Sequence, residues 1–399
     1  MQAAAAQAAW QGVRLMIAYQ ALEATGSLAF VGIIAAVFAL AGLIVSVPSG
    51  RLIDRYGSAP VALAGTLLSI IGIVCALVFP SIAGMTAAAV IVGASHIYVI
   101  VAQQGVVSKL STDKSPDSAF GTLTAAISIG QLVGPPAVTG AAIAWATNET
   151  LPNTWAGLAC CGALLVIALP TFFPLRSAEA RIAPPQALTV KAASLLGVLR
   201  LPGIMRSLLV GAAVIVTVDL LASFIPVWAV AHDIPATVVG WLLALRALFT
   251  IASRFGVARL VDRFGRKILL VVAISITVAA LVGLPFADAW WAIPIMAMIG
   301  LGLGLPQPLT LAWMSSLAPA HARGSVFGAR MTVNRFAQVT LPLLVAVVAG
   351  PVGVFAVFWS TAAILAGSAV LVGLTNAAAL NDHASPEDVD RDAGAPEAS

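Results

Sequence analysis

The stretch RLIDRYG, residues 51–57, occurs again as RLVDRFG at residues 259–265, an offset of 208 positions (259 minus 51). Only 9% of the 399 residues are charged and 60% are hydrophobic, so a repeated charged heptapeptide is unexpected. A second pair of segments matches at nearly the same offset: SAFGTLTAAISIGQLVGPP from Ser118 aligns with SVFGARMTVNRFAQVTLPL from Ser325. We therefore predict a tandem repeat of two related halves.

The composition indicates a membrane protein. Mean hydropathy is +1.03, and so few charges could not cover the surface of a soluble globule of this size. Apolar runs of roughly 20 residues, each long enough to cross a bilayer as a helix, follow one another with short breaks. We predict an all-α membrane protein with twelve transmembrane helices, at residues 4–24, 28–50, 60–80, 83–106, 119–146, 154–174, 206–230, 236–258, 268–286, 290–316, 326–350 and 352–376.

The basic residues of the loops predict an orientation. If the N-terminus is cytoplasmic, the Lys and Arg residues of the loops fall on the inner side, as the positive-inside rule requires. We expect a multi-pass protein of the plasma membrane, the bacterial inner membrane, with both termini cytoplasmic. Because these residues are spread over many loops, they do not form a nucleic-acid-binding patch.

The longest basic break divides the chain into predicted units. These are an N-terminal six-helix bundle (1–175), a cytoplasmic linker (176–205), a C-terminal six-helix bundle (206–376) and an acidic tail (377–399) that we expect to be disordered. An even number of helices per half, with both halves oriented alike, is typical of transporters that move two bundles around a central site.

The octapeptide GRLIDRYG, from Gly50, resembles the signature between helices two and three of the major facilitator superfamily. Its second copy, ARLVDRFGRK from Ala258, stands where that family repeats it. The resemblance implies two six-helix bundles, alternating access and a latch that closes the cytoplasmic side. The residues assigned to this gate are Gly50, Arg51, Asp54, Arg55, Gly57, Arg259, Asp262, Arg263, Gly265 and Arg266.

Each gate residue type has a physical reason. Gly50 would let helix two approach a neighbour closely, and Asp54 could accept hydrogen bonds at the N-terminus of an adjacent helix. Arg51 and Arg55 would hold the loop at the anionic inner surface of the membrane. The alternative is an ordinary basic loop with a tight turn at Gly57, and the segment 58–60 lacks the basic residues usual in the family.

Predicted helix five contains GQLVGPP, with Gly130, Gly134 and Pro135. This pattern resembles the signature of drug and metabolite antiporters of the same superfamily, where small residues pack closely and proline bends the helix. The resemblance implies export. Val138 and Thr139 depart from the signature, and GxxxG is also common in packed membrane helices of any function.

Charges deep in the bilayer indicate the candidate transport site, because each costs about 2.5 to 3.5 kcal/mol on insertion scales. Asp219 on helix seven lies 13 residues from Arg206, and Arg246 on helix eight lies 13 residues from Arg259, so the two have similar depth. We predict that Asp219 pairs with Arg246, either as a static ion pair or as a proton-responsive one. Arg14 lies near the repeat equivalent of Asp219 and is a second predicted partner.

Helices four and eleven supply further candidates. His96 could titrate or could be a packing residue. On helix eleven, Arg330, Asn334 and Gln338 follow a spacing of four and should share one face, with Arg335 pointing elsewhere. Five aromatic residues could line a pocket or anchor helix ends: Trp10, Tyr19, Trp228, Trp241 and Trp313.

Two transport hypotheses follow. The first is proton-driven export of a small organic molecule, with Asp219 as proton carrier and the proton gradient as energy source. The second is uptake or exchange of an organic anion, since arginine exceeds aspartate among the deep charges. A non-transporting membrane sensor is the alternative of another class. We predict no enzymatic activity, metal or cofactor, a functional monomer, and contacts with membrane lipid and a small-molecule substrate.

Overall fold

The computed structural model describes residues 1–110, 116–146, 148, 150–179, 203–317 and 323–375. All regular secondary structure in these ranges is helical, with short 3-10 helices at Leu169–Thr171 and Leu284–Phe286. The α-helices are α1 (Gln2–Thr25), α2 (Leu28–Tyr56), α3 (Ser58–Val78), α4 (Ile82–Leu110), α5 (Pro116–Ile143), α6 (Thr154–Ala168), α7 (Phe172–Glu179), α8 (Ile204–Ala231), α9 (Ala236–Ala252), α10 (Val257–Gly283), α11 (Ala289–Gly304), α12 (Pro306–Leu317), α13 (Arg323–Val352) and α14 (Val354–Gly373).

Nine helical segments of the described chain are long and apolar enough to cross a membrane. The chain is therefore a multi-pass helical membrane protein, as predicted. The nine segments are Leu28–Ser46, Ser58–Val78, Ile82–Val107, Thr122–Ile143, Thr154–Ser177, Ile204–Ala231, Arg259–Phe286, Ala289–Met314 and Val354–Gly373. Residues 180–202 of the predicted linker and the tail from residue 376 lie outside the described residues.

The two heptapeptide loops have the same backbone geometry. Gly57 lies between α2 and α3 with φ 90° and ψ 163°, and Gly265 interrupts α10 with φ 76° and ψ 154°. A positive φ favours glycine, which has no Cβ to clash. This break separates a short helix of residues 257–264, which holds most of the second heptapeptide, from the helix of residues 266–283, whose start lies close to the predicted residue 268. We call the end of the protein that holds Gly57 and Gly265 the motif end.

The opposite end contains capped helix starts. The Ser27 hydroxyl accepts a hydrogen bond from the Phe30 N–H at the start of α2, and the Asn153 side chain accepts one from Ala156 at the start of α6. The Asp288 carboxylate accepts from two backbone N–H groups at the start of α11. These side chains satisfy N–H groups that the first helical turn leaves free, so the short turns at the opposite end fix where the helices begin.

Helix α5 packs closely on one helix from each half of the sequence. A Cβ added at Gly134 would lie 2.7 Å from the Ala8 Cα of α1, and one at Gly130 would lie 2.3 Å from the Ala4 carbonyl oxygen. A Cβ added at Gly240 of α9 would lie 3.0 Å from the Pro135 carbonyl oxygen. Small residues let helix backbones meet where the hydrophobic effect supplies no attraction. The glycines of the helix-five pattern are therefore packing residues, and α5 remains helical through Pro135.

Helices from the two sequence halves meet in three main pairs, α1 with α8, α2 with α13 and α5 with α9. The α5–α9 contact at Gly240 lies in the half of both helices nearer the opposite end. Tyr19 of α1 and Trp228 of α8 are fully buried in the same region. The opposite end is thus closed in this conformation.

Candidate functional site

An ion pair joins the two sequence halves at mid-depth. Arg14 of α1 donates from Nη1 to Asp219 Oδ1 of α8 at 2.6 Å. Its Nη2 donates to the Asp219 carbonyl oxygen at 3.1 Å and to the Ser223 hydroxyl at 3.2 Å. Arg14 is 6% exposed and Asp219 is 22% exposed. A buried guanidinium with several acceptors is well positioned to hold an ionised carboxylate.

The carboxylate of Asp219 has a second partner on α13. Gln338 donates from Nε2 to Asp219 Oδ2, and Arg335 donates from Nη1 to Gln338 Oε1 at 3.0 Å. The result is a continuous chain of polar contacts from Arg335 through Gln338 and Asp219 to Arg14. It connects three helices, so a change in the charge of Asp219 would alter contacts of α1, α8 and α13 together.

This chain lines a cavity of about 220 Å³ that extends from mid-depth toward the motif end. Gln7, Gln11, Gln131 and Gln307 add amide groups to its wall, and branched aliphatic side chains form much of the rest. Concave sites of this kind, mainly apolar with a few convergent polar groups, are typical of small-molecule binding. The cavity is the candidate substrate site.

Aromatic side chains border the ion pair. Trp10 stacks on His96, with ring centroids 3.8 Å apart and an interplanar angle of 4°. The Arg14 guanidinium lies 5.6 Å from the Trp10 ring centroid, within cation–π range. His96 lines both the central cavity and a second cavity of about 20 Å³ that also contains Thr66 and Ser69.

Of the five aromatic candidates, only Trp10 lines the central cavity, whereas Tyr19, Trp228 and Trp313 are buried in the core and Trp241 is exposed.

The predicted pairing of Asp219 with Arg246 is wrong. Arg246 is buried at 4% exposure, its Nε has no hydrogen-bond partner among the described residues, and the side-chain contacts of Asp219 there are with Arg14 and Gln338 instead. The two residues have similar depth, but depth along a helix does not fix the direction of a side chain around it. The repeat equivalence correctly indicated Arg14.

The prediction for α13 needs a smaller correction. Arg330, Asn334 and Gln338 are all buried, as a shared inward face predicts. Arg335 does not point elsewhere, because it lines the cavity and contacts Gln338. Residues three apart on a helix are also neighbours, so a wide cavity-facing surface includes both positions.

The gate residues lie at the motif end, outside the cavity. Arg51, Arg55, Arg259, Asp262 and Arg263 are exposed. Two of these arginines face the next aromatic ring, Arg55 at 5.2 Å from Tyr56 and Arg263 at 5.4 Å from Phe264, so the copies match in side-chain contacts too. The side chain of Asp54 lies outside the described residues.

The role predicted for Gly50 is not realised in this conformation. A Cβ added there would meet nothing within 4 Å. The close approach that we expected at Gly50 is therefore not seen in this conformation.

Comparison with known proteins identifies the family. The model of the Major Facilitator Superfamily matches residues 2–342 and again 208–388. The chain belongs to the major facilitator superfamily. It is accordingly a membrane transporter and not an enzyme.

Individual relatives are more distant. A segment of 104 residues is 34% identical to an uncharacterized MFS-type transporter, Rv1250, of Mycobacterium tuberculosis. That match covers 26% of this chain and only 17% of the length of the relative.

Solved structures agree on the fold. A POT family transporter in complex with 5-aminolevulinic acid has a TM-score of 0.74 at 13% identity, covering 96% of this chain and 95% of that one. A mutant of the nucleoside transporter NupG has a TM-score of 0.71 at 13% identity, covering 96% and 98%. At such identities the likeness establishes the fold alone.

Sequence reasoning missed one residue of this superfamily member, Glu179 at the end of α7. Its carboxylate accepts hydrogen bonds from the backbone N–H of Ser58 at 2.7 Å and of Ala59 at 2.6 Å. These are the first N–H groups of α3, whose N-cap is Gly57 and has no side chain to accept them. Glu179 therefore caps the helix that follows the heptapeptide, a role favoured by the helix dipole. Because 121 residues separate it from Ser58, no local pattern indicates this contact.

We expect Glu179→Gln to lower the stability of the motif end. The amide keeps one acceptor but turns an N–H donor toward a second N–H, so about 0.5–2 kcal/mol of capping energy is lost. Thermal unfolding of the purified protein in detergent measures this, with the exposed Glu23→Gln as control for the charge change. Equal melting temperatures for the two variants would contradict the capping role.

Proposed function

We propose that this protein is a proton-coupled secondary transporter of small organic molecules that works by alternating access. The observation that carries the proposal is the ion pair between Arg14 and Asp219, which joins the two sequence halves inside the cavity. A carboxylate in this position has two states. Ionised, it binds Arg14 and holds α1 against α8; protonated, it loses most of that attraction.

Two six-helix bundles are part of the proposal. The nine apolar segments include α6 continued by α7, and α11 continued by α12, as single crossings. Adding α1, α9 and α13, which are shorter or more polar, gives twelve crossings. The second match of the family model begins at residue 208, close to the predicted start of the second bundle at residue 206. We further propose cytoplasmic termini, the bacterial inner membrane and a functional monomer in contact with lipid, with the motif end cytoplasmic.

The transport cycle follows from these contacts. The conformation described has its cavity toward the motif end and its contacts closed at the opposite end. Protonation of Asp219 would weaken the link between the halves and allow the α5–α9 contact at Gly240 to open. The heptapeptide loops would then close the motif end, where Gly50 approaches its neighbour. A ligand changes the balance between the two conformations only if it binds them with different affinities.

Export is the direction that the helix-five resemblance favours. Uptake or exchange of an organic anion is the second candidate, and a specific observation favours it: Arg14 and Arg335 both line the cavity with a single carboxylate, Asp219. The two candidates differ in whether proton and substrate move in opposite directions or in the same one.

The experiment that tests the proposal is a substrate screen in proteoliposomes with an imposed pH gradient. Substrate flux and internal pH are recorded together, so that direction and proton movement are read from one sample. We expect at least one organic compound to be accumulated against its gradient when the pH gradient is present. Facilitated flux without any response to the pH gradient would contradict proton coupling, and absence of flux would favour the sensor.

A further inference from the structure

The cavity contains more positive than negative charge. Arg14 and Arg335 line it, each with a charge of +1, and Asp219 contributes −1, so the sum is +1 when the carboxylate is ionised. Two other ionisable groups lie on the neighbouring helices: His96 of α4 lines the same cavity, and Arg246 of α9 is buried at 4% exposure.

Arg335 is the group with unused binding capacity. It donates from Nη1 to Gln338, and no other hydrogen bond of its guanidinium is found among the described residues. None of its nitrogens is buried without a partner, so the remaining N–H groups face the cavity. A guanidinium at this depth costs about 2.5–3.5 kcal/mol on insertion scales. Its planar donor fork fits a carboxylate, sulfonate or phosphate.

Asp219 is poorly placed to receive a cationic ligand. Its Oδ1 accepts from Arg14 and its Oδ2 accepts from Gln338. A cation that took the place of Arg14 at Oδ1 would leave that guanidinium buried without its carboxylate, which is strongly unfavourable. In a cation–proton exchanger, the cation and the proton would compete for the carboxylate of Asp219. The charges of this cavity disfavour that mechanism.

We propose that the cavity binds an amphipathic organic anion at Arg335 and that protonation of Asp219 strengthens this binding by releasing Arg14. When Asp219 takes up a proton, the charge of the cavity rises from +1 to +2. Arg14 exchanges its carboxylate partner for the anion of the ligand. By reciprocity, the bound anion raises the affinity of Asp219 for the proton by the same factor.

Because the proton and the anion each strengthen the binding of the other, they are expected to move in the same direction. Proton and anion bind together and cross together, which is symport and favours uptake, the second candidate above. The inference thus rests on the proposed function and specifies its substrate class. The remaining lining suits an apolar body, because the side chains facing the cavity include Ile97, Ile100, Ile127, Ile215 and Val218.

A set of three size-matched probes tests the inference on the purified full chain in detergent. Hexanesulfonate, hexanamide and hexylamine share one aliphatic body and carry negative, zero and positive charge. Isothermal titration calorimetry at about pH 8 and at about pH 6 gives each affinity, and the sulfonate remains ionised throughout. We expect the sulfonate to bind at least about tenfold more tightly than the other two and to gain about tenfold at the lower pH, within the usual range of coupling.

Variants test the roles of Arg335 and Asp219 separately. Arg335→Gln should remove the preference for the sulfonate, and Arg335→Lys, which keeps the charge, should restore part of it. Asp219→Asn should abolish the pH dependence. Arg206→Gln removes one exposed positive charge from α8 outside the cavity and serves as the control.

Three results would overturn the inference: tightest binding by the amine, equal or absent binding of all three probes, or weaker sulfonate binding at low pH. This assay needs no membrane and no flux. Anion-selective, pH-dependent binding without proton-driven transport would therefore count against the proposed function alone.

Discussion

Asp219→Asn is expected to abolish uphill transport while leaving exchange of substrate across the membrane measurable. The amide cannot ionise, so the protein is held in a state that resembles protonated Asp219, and no proton is carried. Substrate can still bind and cross in both directions, because the halves no longer need a proton to separate. Accumulation driven by a pH gradient in proteoliposomes should fall to the level of empty vesicles, with counterflow retained.

Loss of the carboxylate also leaves Arg14 without its partner, and breaking a buried pair costs about 3–5 kcal/mol. The double variant Arg14→Gln with Asp219→Asn removes both charges and should be more stable than the single variant, yet still uncoupled. Asp219→Glu keeps a titratable group and should keep part of the accumulation. Full accumulation by the asparagine variant across the pH range would contradict the role of Asp219.

Gly240→Val is expected to prevent closure of the opposite end and to reduce transport severely. The added side chain would overlap the Thr139 hydroxyl, which lies 2.1 Å from the Cβ position, and would press on the Pro135 carbonyl oxygen at 3.0 Å. Overpacking a close contact costs about 1–3 kcal/mol, and energies of that size shift a two-state equilibrium about 5- to 150-fold. The conformation open at the opposite end should therefore become dominant.

Sided labelling measures this shift. A cysteine introduced at Ala39, which lines the cavity, should react with an impermeant reagent mainly from the motif side in the parent protein. In the Gly240→Val background it should react from the opposite side. Gly140→Val is the matched control, because Gly140 is exposed and a Cβ there meets nothing within 4 Å. Similar labelling in both glycine variants would show that the α5–α9 contact is not the barrier.

Sequence patterns predicted the helical membrane fold well because hydropathy and repeats are properties of single segments. The duplicated heptapeptide identified the family, and the similar backbone conformation at Gly57 and Gly265 follows from a glycine at the same place in both copies. The repeat offset also indicated Arg14 as a partner of Asp219, since related halves place related positions near the common centre.

What sequence could not predict depends on how helices turn and meet. Arg246 lies at the same depth as Asp219, but its side chain points in another direction. Arg335 lines the cavity because the cavity-facing surface of α13 is wider than a single row of residues spaced four apart. Glu179 caps α3 through a contact that only the tertiary fold creates. Gly50 illustrates a different limit: in the alternating cycle that we propose, a residue that packs closely in one conformation can lack a contact in the other.

The central claim is that substrate movement and proton movement are one process that requires Asp219. It is tested most directly by imposing a substrate gradient on proteoliposomes that start with equal pH on both sides, with a pH-sensitive dye inside. We expect the substrate gradient alone to change the internal pH in vesicles containing the parent protein and to produce no change with Asp219→Asn. Substrate flux through the parent protein without a change in pH, or an unchanged proton signal from the variant, would contradict it.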